Sequence, residues 1–164
     1  MRYLRVAAVV ITICASAFSQ APRSTADAMR GNFSAVNKHL LDMAKDFPAD
    51  KYDFKLKPEM RSFGEVLVHV ASGNVYAAKI GNGQKANWDE LDAKQYKGKQ
   101  AIVSMFEKSM NDAEAALKKT PDANLSKSIS PWIGVMEHSA EHYGLLVAYY
   151  RANGLVPPES RPKK

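Results

Sequence analysis

Apolar residues return every third or fourth position through most of the chain, the period of a helix with one buried face. Met29, Phe33, Val36, Leu40, Met43 and Phe47 form the first such stripe, with Ser24 or Thr25 placed to cap it and Pro48 to stop it. Ser62 with Glu65 three positions on reads as a capping box. It opens a second helix on Phe63, Val66, Leu67, Val70, Asn74 and Ala77, ended by Gly81-Asn82-Gly83. A third runs from about Lys99 to Lys118 on Ile102, Met105, Phe106, Met110, Ala113 and Leu117, and Thr120-Pro121-Asp122 breaks it. Ser130, as N-cap, and Pro131, at the first helical position, open a fourth. No segment alternates with the period of a strand. The pattern predicts an all-α protein, an up-down four-helix bundle with a longer connection between helices 2 and 3.

The connections refine that picture. Residues 48–60 are polar with a proline near each end, and Tyr52 and Phe54 alternate with charges as in an extended crossing. The stretch from Gln84 to Lys99 is a polar loop with one large apolar anchor, Trp88. Its acids Asp89, Glu90 and Asp92 lack calcium-loop spacing and read as solvated.

The N-terminus is of another kind. Arg2 and Arg5 precede an apolar run from Val6 to Ala15, and Ala15-Ser16-Ala17 fits a small-residue cleavage site. Residues 1–17 therefore read as a removable signal peptide, too short to span a bilayer comfortably. Residues 18–164 read as one domain, exported to the periplasm or beyond, with no stable membrane span after cleavage. Cys14 is the sole cysteine of the 164 residues and leaves with the signal, so a metal site must draw on His, Asp, Glu or water. The formal charge of +6 falls to +4 without Arg2 and Arg5. The remaining cations are dispersed and not interleaved with aromatics, which argues against a nucleic-acid partner. Pairing of two bundles through an outer helix face is compatible with this size, but no residue pattern specifies it.

Chemistry concentrates in the fourth helix. Within Trp132–Gly154, His138 and His142 stand one turn apart on the same face as Val135, Leu145, Leu146 and Tyr149. His69, on the flank of the second helix's apolar face, is the best third ligand, whereas His39 lies one position off its seam and reads as a flanking histidine. Burying three imidazoles without partners is costly, and a shared divalent transition metal removes that cost. Tyr143, Tyr149, Tyr150 and Arg151 are candidates to line a pocket or hold an anionic group, although tyrosines at this spacing also suit core and rim packing.

The segments RSFGEVLVHVASGN (Arg61–Asn74) and HSAEHYGLLVAYYRANGLVPPESR (His138–Arg161) resemble the two signature blocks of the DinB/YfiT-like superfamily. The resemblance implies a four-helix bundle and a metal site of His69, His138 and His142 for a divalent ion, zinc, nickel or manganese. It also implies a link to transferases and isomerases that use low-molecular-weight thiols. The export signal departs from that setting, because such thiols are mainly cytosolic.

The order His138-Ser139-Ala140-Glu141-His142 also matches the inverted zinc-peptidase motif, but the only acid after it is Glu159, beyond the prolines. The reading that results is an exported bundle binding a divalent metal through three histidines. It would act on an unidentified small molecule as a metal-dependent transferase or hydrolase that activates a thiol or water. The alternative is a non-catalytic bundle of the cell envelope that binds a metal or a partner.

Overall fold

The computed structural model describes residues 24–162, and all its regular structure is helical. The expected signal segment lies outside the described residues. Four long helices build the bundle: α1 (Thr25–Asp46), α2 (Phe63–Gly81), α3 (Gly98–Lys119) and α5 (Ser130–Ala152). A short α4 (Asp122–Lys127) occupies the break expected after α3, and its Leu125 is buried against the bundle. None of the described helices is long and apolar enough to cross a membrane.

The helix starts follow local chemistry. Ser24 Oγ accepts the Asp27 N–H, and Ser62 and Glu65 make the reciprocal capping box. The last helix begins at Ser130 itself, with Ile129 in the cap position and no side-chain cap.

The all-α bundle and its long α2–α3 connection are as expected, but the order of directions is not. Ile102, near the start of α3, lies against Gly64 at the start of α2. Ala116, near the end of α3, lies against Gly81 at the end of α2. The two helices are therefore parallel, and simple up-down alternation breaks at α3. α5 runs beside α1 in the same direction, since Phe33 meets Trp132 near their starts and Tyr150 donates to the Met43 carbonyl near their ends. The order is up, down, down, up. The connection from Asn82 to Lys97 thus crosses the full height of the bundle.

Two apolar clusters fill the interior. One gathers Phe47, Tyr52, Phe63, Phe106, Tyr149 and Tyr150, and the other gathers Phe33, Ala113, Leu117, Leu125, Trp132 and Val135. Small polar residues are buried on all four long helices near where the two sets meet: Asn37, Ser72, Asn74, Ser109 and Ser139. Asn74 Nδ2 donates to Asn37 Oδ1, and Asn37 Nδ2 donates to the Phe33 carbonyl. A desolvated amide must find partners, and this pair satisfies most of its own needs. Pattern reading put Val36 on the α1 seam, where the structure buries Asn37 instead.

Candidate metal centre

His69 comes from the middle of α2 and His138 and His142 from the middle of α5, on the seam where these helices pack. Each offers a ring nitrogen, and the three donor atoms lie within 4.8 Å of one another. No fourth imidazole or carboxylate joins the group among the described residues.

The second nitrogen of each ring decides what the first can do. His69 Nδ1 lies 3.1 Å from Glu90 Oε1, and an ionised carboxylate only accepts, so Nδ1 carries the proton. His142 Nδ1 lies 3.0 Å from the His138 carbonyl and must likewise donate. Both assignments leave Nε2 with its lone pair. His138 Nε2 points at His69 Nε2 across 2.9 Å, while His138 Nδ1 is buried with no partner.

Two ring nitrogens at that distance need a proton or a cation between them. An ion held at about 2.1 Å from each in a tetrahedral shell would set them about 3.4 Å apart, so the rings need part by only roughly half an ångström. The three residues therefore fit a divalent transition metal. Nitrogen donors without thiolates suit zinc or nickel and exclude the softest ions. Burial lowers the pKa of His69, with Arg61 and His142 adding repulsion against a second positive charge. Burial also takes His138 down to about 4, assisted by His142 and His69. Both rings are thus neutral at ordinary pH, the form that coordinates.

The crossover connection lies over this seam. Trp88 stacks on Tyr76 at 5.4 Å between ring centroids and meets His138 edge-on at 4.9 Å. A Cβ on Gly73 would stand 2.7 Å from Trp88 Cζ2, so a larger residue there would displace the indole. Leu91 N–H donates to Ser72 Oγ at 2.9 Å, pinning the segment to α2. The apolar anchor expected at Trp88 is present, and it is 38% exposed rather than fully buried.

The other sequence candidates fall elsewhere. Tyr149 is fully buried and donates to the Arg61 carbonyl, Tyr143 packs beside His39, and Arg151 is exposed. None of the three lines a described cavity. His39 sits 3.8 Å from Glu159, away from the cluster, as a flanking histidine would. Glu141 is exposed and outside the cluster, so the peptidase motif lacks its base at the metal position. On the polar loop pattern Glu90 reads as a solvated acid. It is half-exposed, yet it binds His69, and no local pattern marks it.

A helical bundle with three converging imidazoles, and no thiolate among the described residues, defines a candidate mononuclear metal protein. The profile of the DinB superfamily matches residues 32–150, most of the chain, and the protein belongs to that superfamily. No curated protein sequence matches it.

Proposed function

We propose that the protein holds one divalent transition metal through Nε2 of His69, His138 and His142 and uses it on a small molecule, as a transferase or hydrolase. The convergence of three imidazoles, two with the other nitrogen already committed, carries this reading. A metal bound there supplies a Lewis acid that lowers the pKa of a thiol or water. The chain's own part is orientation. Glu90 and the His138 carbonyl fix two rings, and Trp88 shields the third from solvent. Three protein donors, with no fourth in reach among the described residues, favour an open coordination position over a closed structural site.

We further propose that the chain works outside the inner membrane. Support comes from the N-terminal sequence alone, from Arg2 and Arg5 through the apolar run to Ala15-Ser16-Ala17. An exported protein meets water more readily than cytosolic thiols, which favours hydrolysis of an electrophilic small molecule.

The decisive measurement is the metal content of residues 18–164, purified without a metal-binding tag, beside His69→Ala and His138→Ala. About one ion per chain in the parent and none in the variants is expected. A metal-free parent after exposure to zinc, nickel and manganese would end the reading. Retention of metal by both variants would place the ion elsewhere.

A further inference from the structure

Glu90 lies 21 residues after His69, on a connection rather than a helix, yet its position is not loose. The same oxygen, Oε1, accepts from Arg61 at 2.8 Å and from His69 Nδ1 at 3.1 Å. Arg61 immediately precedes the α2 cap, and its carbonyl is held by the Tyr149 hydroxyl, so the residue that binds Glu90 has its backbone anchored to the bundle. On either side, Trp88 is seated over Gly73 and the Leu91 amide on Ser72. The carboxylate thus arrives at His69 from a segment pinned at both ends.

A free neutral imidazole favours the proton on Nε2, which would turn the wrong nitrogen of His69 towards the other two histidines. A carboxylate on Nδ1 reverses that preference and makes Nε2 a better donor. We propose that Glu90 is the positioning residue of the triad: clamped by Arg61, it fixes His69 in the Nδ1–H tautomer and so makes the α2–α3 crossover part of the metal centre. This inference rests on the metal reading for its consequence, though not for its first test.

That test is the ring tautomer itself, read by long-range proton–nitrogen NMR on the metal-free protein. The parent and Glu90→Gln, whose amide oxygen still accepts, should show His69 protonated on Nδ1. Glu90→Ala should move the population towards Nε2–H, and Asp89→Ala, one residue away, should not. Competition with a chromophoric chelator should then show metal affinity falling about 10–100-fold in Glu90→Ala and recovering substantially in Glu90→Gln. An unchanged tautomer in Glu90→Ala overturns the proposal, even if affinity falls, because simple charge attraction would also do that. A changed tautomer with affinity within twofold of the parent overturns it too, since the bond would then be idle. Should the parent bind no metal, the proposed function fails while the tautomer comparison still decides whether Glu90 sets the ring.

Discussion

The aromatic end and the histidine-bearing middle of the α2–α5 packing treat their polar atoms in opposite ways. At the aromatic end, Phe47 and Phe63 stack with centroids 3.8 Å apart, and three buried tyrosines surround them. Every one of those hydroxyls has an acceptor: Tyr52 donates to the Ala44 carbonyl, Tyr149 to the Arg61 carbonyl and Tyr150 to the Met43 carbonyl. Tyr52 and Tyr150 serve as side-chain caps on the last turn of α1 while filling the core: the Ala44 carbonyl takes the Tyr52 hydroxyl, and the Met43 carbonyl takes Tyr150 in addition to the Phe47 N–H. Burial raises the pKa of both, which keeps them protonated and donating. The histidine seam leaves His138 Nδ1 without a partner and sets Nε2 of His138 and of His69 2.9 Å apart, a contact that one proton or one cation must bridge. A closed polar account belongs to stability. An open one, in the same bundle, belongs to binding.

That contrast predicts opposite phenotypes. The largest effect on stability should come from Phe63→Ala, which removes a fully buried ring in contact with Phe47, Tyr52, Tyr149 and Tyr150. A loss of about 3–5 kcal/mol is expected in denaturant unfolding. Next comes Tyr150→Phe, which keeps the ring and removes the hydroxyl from the Met43 carbonyl, a carbonyl that still holds the Phe47 N–H, at a cost of about 1 kcal/mol. His138→Leu should abolish metal binding yet change the stability of the metal-free protein by less than about 1 kcal/mol, because it removes one unpartnered buried nitrogen and strands another. Equal destabilisation by His138→Leu and Phe63→Ala would break the contrast and make the histidines structural.

What could be read from the sequence follows the same division between local and long-range causes. The four long helices, the Ser62–Glu65 box and the inward face of His138 and His142 rest on spacings of three and four residues, and all of them are present. The direction of α3 was not legible, because loop length alone does not say whether a connection turns or crosses. Asn37 escaped notice because polar residues are assigned outward by pattern. Its burial depends on Asn74, 37 positions away, which no local window contains. Glu90 was hidden for the same reason: three acids in a polar loop look alike until the crossover lays one of them on His69.

The smallest prediction concerns the outer edge of the aromatic end. Arg161 reaches back from the C-terminal segment to bind both oxygens of Asp46, at 2.8 and 2.6 Å, and the Tyr150 hydroxyl, whose one proton is shared with the Met43 carbonyl, lies 3.1 Å from the same carboxylate. The Arg161 bonds lower the Asp46 pKa against the opposing cost of burial, with Tyr150 assisting. A carboxyl whose folded pKa is depressed contributes stability that is fully present above its unfolded value and is lost as pH falls through the folded one. The parent should therefore lose melting temperature on acidification below about pH 4 more steeply than Arg161→Ala, in which Asp46 keeps a more ordinary pKa. Histidine protonation destabilises both proteins in common and drops out of the difference. The gap should also shrink in high salt, because Arg161 is exposed and screened. Parallel acid profiles would show that the tail clasp adds nothing, and that the stability of this end resides in its rings and tyrosine caps alone.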